Sequence, residues 1–354
     1  MTTICGLPSL AVEENMRQVM PPDSDLETLA HAFARAAWST LVEPGDRVAG
    51  QLIGLCGPER ALQFLIDRFR ADEIVTECAA LEEGEFDAGV FEEDLAEAIF
   101  RWQPRLSSSD TLNAVTHAAG LGAFLLTPEQ EQWPRGLSDL GLHAPLVLWA
   151  RGQREVLGAF ENSLAVVGAR ASTGYGEHVT METVSTIAQQ GVAIVSGAAY
   201  GIDGMAHRSA LAVGGTTMAF LAGGVDRFYP SGHDALLGRI METGLVLAET
   251  PCGYAPTKWR FLLRNRLIAA ASQATVVMEA GWRSGSLNTA NHASTLGRPL
   301  GVVPGPVTSA ASAGCHRLLR EYDAVCVTNA AEMLELLPGQ GPALSESEQE
   351  LVGR

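Results

Sequence analysis

The sequence predicts an α/β fold in which a mostly parallel sheet carries helices on both faces and follows a small all-α domain. Three observations lead there. From Ser163 onward, short and continuously apolar runs alternate with helical segments, the pattern of strands buried on both faces and joined by crossover helices. Four of those runs end in glycine turns of similar make-up. Between Asp25 and about Phe100, apolar residues recur at three- and four-residue spacing, as in Leu62, Leu65, Ile66 and Phe69, which predicts helices. The sheet so predicted is an extended, Rossmann-like one.

Residues 1–105 are expected to form the helical domain, with Pro44-Gly45 and Gly57-Pro58 separating its helices. The acidic run from Glu82 to Asp94 reads as a solvated helix face or loop, and the serines between Leu106 and Asp110 read as a linker. Gly122 to Thr127 and Ala144 to Gly152 read as strands bracing the main domain, 106–337. There the strands are expected at 163–168, 192–196, 216–221, 245–249, 275–279, 300–303 and 324–327. Helices fit at 174–189, 203–213, 234–242, 265–272, 285–296, 314–320 and 329–337. Residues 338–354, rich in Gly, Ser and Glu, read as a disordered tail.

Charge separates these regions. The 354 residues carry a formal charge of -17, yet residues 1–150 hold 9 basic and 24 acidic groups while residues 151–330 hold 14 basic and 12 acidic. The region with the glycine turns is therefore slightly basic, and the acidic helices suit a protein partner better than a DNA backbone. Six cysteines form no CxxC pair and have no zinc-type spacing with histidine, which reads as reduced thiols in a cytoplasmic protein with no metal. No export signal is expected at the N-terminus. The longest uncharged stretch, from Ser209 to Val225, is too short to span a bilayer, so no membrane partner is expected.

The strand ends carry the chemistry, because ligands on such sheets collect beyond the carboxyl ends of the strands. Val195-Ser196-Gly197-Ala198-Ala199-Tyr200-Gly201-Ile202-Asp203 takes an apolar strand through a glycine turn into a helix, aiming backbone amides at one small volume that suits phosphate. Gly168-Ala169-Arg170, Gly223-Gly224-Val225-Asp226-Arg227 and Glu279-Ala280-Gly281 repeat the layout, which points to one composite site. The loop from Gly168 to Gly176 lacks both G-x-G-x-x-G and a Gly-Lys-Ser/Thr ending, so neither a dinucleotide nor ATP is indicated and no cofactor is expected. Arg170 is placed to grip a phosphate with its guanidinium fork. Asp203 and His207, four apart on a helix, read either as an acid/base or ligand pair, or as a helix cap and a locally bonded histidine.

Arg227, Phe228 and Tyr229 follow a strand end, and Lys258-Trp259-Arg260-Phe261-Leu262-Leu263-Arg264-Asn265-Arg266 packs four cations and two aromatics into a basic loop that leads into a helix from Asn265. Cations on phosphates and rings under bases are how flexible single strands are held. Ser284, Gly285 and Ser286 open a helix and fit either capping or phosphate contact.

Together these motifs resemble the DprA/Smf (DNA processing protein A) family. The resemblance runs from about 120 to 325 through Val167-Gly168-Ala169-Arg170, Ser196-Gly197 with Gly201-Ile202-Asp203 and Ala206-His207-Arg208, Gly224-Val225-Asp226-Arg227 with Tyr229-Pro230, Arg264-Asn265-Arg266-Leu267-Ile268-Ala269, Glu279-Ala280, Ser284-Gly285-Ser286 with Thr289-Ala290, Gly297-Arg298-Pro299 and Val303-Pro304-Gly305. It implies a homodimeric single-stranded-DNA-binding protein that loads the RecA recombinase during natural transformation and is not a catalyst. Arg170, the Ser196-Gly197 turn, the Gly223-Gly224 turn with Arg227, and Arg264 to Arg266 are the implied phosphate pocket. The N-terminal helices are similar to the family's sterile-alpha-motif-like or helix-hairpin-helix-like portion. Tyr200 and Ser231 stand where many members carry arginine and lysine, and this sequence ends before the winged-helix domain that many members carry. The alternative is a LOG-like nucleoside-monophosphate phosphoribohydrolase, with Glu279 or Asp203 catalytic; its Pro-Gly-Gly-x-Gly-Thr-x-x-Glu signature is absent.

Overall fold

The computed structural model describes residues 3–79 and 87–338, so part of the acidic run and nearly all of the expected disordered tail lie outside the described residues. Contacts divide the chain into two units, Met1–Gly158 with Ala219–Leu267, and Ala159–Met218 with Ile268–Arg354. Between them they hold nine strands of mixed, mostly parallel sheet.

The first unit opens with a short hairpin, β1 (Thr3–Ile4) and β2 (Leu7–Pro8), and seven helices: α1 (Ser9–Met16), α2 (Leu26–Leu41), α3 (Arg47–Cys56), α4 (Pro58–Ile66), α5 (Ala71–Ala79), α6 (Ala88–Trp102) and α7 (Ser108–Gly120). Asp25 caps α2 by accepting the Thr28 N–H at 2.8 Å, and the helix buries Leu29, Phe33, Trp38 and Leu41. Trp38 meets Trp102 edge-on with ring centroids 5.3 Å apart, and its indole N–H donates to the Pro58 carbonyl at 3.0 Å. The expected serine linker proves to be a helix start. Ser107 accepts the Asp110 N–H at 3.2 Å and so caps α7.

Three strands follow in this unit, β3 (Phe124–Leu126), β4 (Leu148–Gly152) and β8 (Leu245–Ala248), with β4 antiparallel to both neighbours. The strand β7 (Thr217–Phe220) gives its last two residues to this unit, and Leu221 just beyond donates to the Leu247 carbonyl at 2.7 Å. The helix α10 (Asp234–Thr243) precedes β8, and α11 (Lys258–Ala271) starts seven residues earlier than expected. Thr257 ends the loop there: its hydroxyl accepts the Arg260 N–H and its carbonyl the Phe261 N–H.

In the second unit all strand pairings are parallel, in the order β11 (Val325–Cys326), β10 (Leu300–Val302), β9 (Ala274–Glu279), β5 (Ser163–Gly168), β6 (Ala193–Ser196). Thr216, before β7, extends that order by accepting the Ile194 N–H at 3.0 Å. The helices are α8 (Gly174–Gln189), α9 (Ile202–Ala212), α12 (Ser286–Thr295), α13 (Ala313–Glu321) and α14 (Ala330–Leu334). Leu164, Val166, Ile194, Val276 and Met278 of the strands pack with Val184, Ile187, Ile202, Ala206 and Met333 of the helices in one core. Coverage on both faces explains why these strands read as unbroken apolar runs. Among the described residues no helix is long and apolar enough to cross a membrane.

Two carboxylates, Glu43 and Glu249, tie the turn after α2 to the sheet side of the first unit. Glu43 accepts Arg260 through Nε at 2.9 Å and Nη2 at 3.1 Å, with Arg105 at 3.3 Å. Deeper in, Arg266 Nη2 donates to both oxygens of Glu249 at 2.8 Å, and Glu249 also accepts the Gly45 N–H at 3.0 Å. Gly45, at φ 72°, lies on the guanidinium: a Cβ there would sit 2.8 Å from Nη2. Breaking a buried pair strands a charge, so Glu249→Ala is expected to lower the unfolding free energy by about 3 kcal/mol in urea denaturation, with equal stability of variant and wild type as the overturning result.

Acid should act on the same unit through its carboxylates. Burial pushes the carboxyls of Glu43 and Glu129 upward, but Arg260 and Arg105 beside the first and Arg35 beside the second outweigh it and hold both below the ordinary glutamate range. The stability these groups contribute is complete above their unfolded pKa and is lost as pH falls through the lowered folded values. Unfolding midpoints measured down a pH series should therefore drop at the acid end, and Glu43→Gln should flatten that drop.

Candidate nucleic-acid interface

In the second unit three strand ends set the site. Gly168 closes β5 with no room for a side chain, since a Cβ would lie 2.6 Å from Ile202 Cγ1. Gly201, at φ 75°, lets the following turn lie on the first loop; its Cβ would meet the Ala169 carbonyl at 2.2 Å. Ala198 also takes a positive φ of 52° in this turn. Ser196 and Gly197 are buried, and the Ser196 hydroxyl donates to the Val166 carbonyl at 2.6 Å, so this serine is committed to the sheet. What projects from the two turns is Arg170 and Tyr200, both exposed.

The third strand end accounts for the acidic residue there. Glu279, the last residue of β9 and 3% exposed, accepts the Thr173 N–H at 2.8 Å on Oε2 and the Thr173 hydroxyl at 2.7 Å on Oε1. Its own carbonyl accepts the Ala169 N–H at 2.7 Å. Thr173, the N-cap of α8, in turn accepts the Gly176 N–H at 3.2 Å. The Asp203 and His207 alternatives resolve towards local bonding. Gly201, not Asp203, holds the N-cap position of α9, and the Asp203 carboxylate reaches back to the Ala199 N–H at 3.4 Å. His207 is fully buried with Nδ1 2.7 Å from the Thr217 hydroxyl, which donates its one proton to the Ile194 carbonyl at 2.9 Å. His207 Nδ1 therefore carries hydrogen and donates.

Ser284 and Ser286 join their hydroxyls at 2.8 Å, with Ser286 buried and Gly285 exposed at the N-cap of α12. Beside them Trp282 is exposed and Arg317 places its guanidinium 5.4 Å from the indole centroid. Neither was singled out from the sequence as a site residue; the adjacency of an aromatic and a cation in Trp282-Arg283 was the available signal.

In the first unit the turn from Gly223 to Arg227 is packed from behind. A Cβ on Gly223 would meet Pro256 at 2.8 Å and one on Gly224 the Pro251 carbonyl at 2.3 Å, while Asp226 accepts the Gly253 N–H at 2.9 Å. Arg227 is exposed, with Nε 3.3 Å from Asp226. Tyr229, half exposed, packs against Phe261 with centroids 5.3 Å apart and ring planes tilted by 58°. Lys258 and Trp259 are exposed on the first turn of α11. Arg264 and Arg266, expected from the sequence as phosphate contacts, are 5% and 4% exposed. Arg264 gives Nη1 to the Phe220 carbonyl and Nε to Asn265 at 3.3 Å; Arg266 is held by Glu249. Folding the 258–264 segment as helix turns Arg264 and Arg266 inward and leaves Lys258 and Trp259 outside. Among the described residues no group of three or more His, Cys, Asp or Glu is placed to hold a metal ion.

Known proteins share this architecture. Residues 124–338 match the family described as DNA recombination-mediator protein A. A putative DNA processing protein DprA of Mycobacterium tuberculosis is 50% identical over 226 residues, which are 61% of this chain and 58% of that protein, so the match spans little over half of the relative. The X-ray structure of DprA from Streptococcus pneumoniae superposes with a TM-score of 0.63 at 28% identity, covering 86% of this chain and 96% of the other. DprA of Helicobacter pylori, whose structure was described for its single-stranded DNA binding mode, gives 0.52 at 29% identity over 58% of this chain and 92% of the other. The chain belongs to the DNA recombination-mediator protein A family, the DprA/Smf proteins.

Proposed function

We propose that this chain is a cytoplasmic, single-stranded-DNA-binding recombination mediator that hands its strand to RecA, acts as a homodimer and changes no covalent bond in the DNA. The observation that carries the DNA-binding part is the exposed set Arg227, Tyr229, Lys258 and Trp259 in the first unit, cations alternating with rings on a strand-end loop and the start of α11. A single strand offers phosphates to the first kind and unpaired bases to the second. In the second unit Arg170 and Tyr200 offer the same pairing, on turns in which Gly168 and Gly201 let the chain pack closely on itself and Gly197 is buried. Asn265 remains part of the proposed surface of the first unit, shaped by the buried Gly223, Gly224, Arg264 and Arg266, and Ser284 and Gly285 remain part of that of the second unit, shaped by the buried Ser196 and Ser286. RecA loading, self-association and the absence of catalysis rest on family membership.

Anisotropy of a fluorescent oligo-dT at several salt concentrations tests the reading. Wild type should bind at low salt, and Arg227→Ala and Lys258→Ala should each make the log–log salt slope shallower by about 0.7. No binding at low salt overturns the proposal. Trp259→Ala should weaken binding about tenfold, the low end of the worth of one stacked base, and leave the slope unchanged. A change of slope without loss of affinity at low salt would instead make Trp259 a support for its charged neighbours.

A further inference from the structure

We propose that Glu279 is a built-in anion that occupies the amide position a bound phosphate would take at the start of α8, and that it thereby holds the Arg170 loop ready for DNA. The inference rests on the function proposed above and names a positioning residue for it.

A glycine turn running from a strand into a helix is the layout of a phosphate loop, with unsatisfied amides at the helix N-terminus as its bait. Here the bait is taken from inside the protein. Both carboxylate oxygens of Glu279 are bonded to Thr173, one to the amide and one to the hydroxyl. The hydroxyl has a single proton and spends it on Glu279, so the bond from Gly176 falls on its lone pair, and amide, hydroxyl and carboxylate form one directional chain. Gly176 shows how closely the carboxylate is seated: a Cβ there would lie 2.5 Å from Oε2. The same residue pins the other end of the loop, through its carbonyl and the Ala169 N–H. Residues 169 to 173 are therefore clamped at both ends by Glu279, and Arg170 lies inside the clamp.

Two consequences follow. A ligand phosphate meets the Arg170 side chain rather than the Thr173 amide at the N-cap of α8, because a carboxylate already fills that position. The loop also reaches the bound geometry before DNA arrives, so less ordering is charged against binding. The energetic worth of Arg170 then depends on Glu279, although Glu279 itself is buried and touches no ligand.

A double-mutant cycle on the full chain reads that dependence, with oligo-dT anisotropy as the measurement and circular dichroism melts confirming that each variant folds. Arg170→Ala is expected to weaken binding about tenfold, as for loss of one charge-assisted hydrogen bond. Glu279→Ala is expected to cost a similar factor, and the double variant no more than about twofold beyond either single one. Gly176→Ala should reproduce the Glu279→Ala loss by evicting the carboxylate. Where Glu279→Ala does not fold, Gly176→Ala, which displaces the carboxylate, takes its place in the cycle. The inference is overturned if Arg170→Ala still costs its full tenfold in the Glu279→Ala or Gly176→Ala background. If Arg170→Ala leaves wild-type affinity unchanged, Arg170 is no DNA contact, and that part of the functional reading falls together with the clamp.

Discussion

The carboxylate of Glu279 bonded to Thr173 decides how the strand ends of the second unit are used. Parallel strands deliver several turns and helix N-termini to one edge, and each brings amides in need of an acceptor. Satisfying them from within closes the turns on one another. That closure explains the tight glycines, since Gly168, Gly176 and Gly201 each lie where a Cβ would strike a neighbouring side chain or carbonyl. The side chains exposed on a surface built this way include Arg170 and Tyr200.

The first unit reaches a comparable result by allocating its arginines. Of the four cations between Lys258 and Arg266, Arg260 is held by Glu43, Arg264 by the Phe220 carbonyl and Arg266 by Glu249, leaving Lys258 on the surface. The planar fork of arginine suits such internal duty, because it meets a carboxylate or carbonyl in fixed geometry and keeps its charge when buried. Charge density along the sequence therefore overstates the charge presented to solvent. The buried forks fix α11, and α11 presents Lys258 and Trp259.

How far the sequence was readable follows from the range of the forces involved. Strands such as Ser163–Gly168 and Ala274–Glu279 announced themselves because burial on both faces demands an unbroken apolar run, a local signal. The helix start at Lys258 was missed because Thr257 acts through a cap that looks like any loop threonine, and Ser107 misled in the same way. The glycine turns were legible as close approaches, but not their contents. Glu279 lies 106 residues from Thr173, and Glu43 lies 217 from Arg260, so no window of sequence shows that the bait or the fork is already taken. Those pairings exist only once the sheet has brought the segments together.

The acidity of the chain is compatible with a polyanionic ligand for the same reason. The excess of carboxylates lies in residues 1–150, and part of it is consumed inside the first unit, where Glu43 holds Arg105 and Arg260 and Glu129 holds Arg35. At physiological ionic strength an exposed charge is screened within about 8 Å. Attraction between protein and nucleic acid is then set by cations within that distance of a phosphate, not by the net charge of the molecule. In the proposed reading, a strand that reaches Arg227 or Lys258 meets cations within that distance. Rings beside those cations add an attraction that salt does not screen, and bases already paired in a duplex do not present their faces to it.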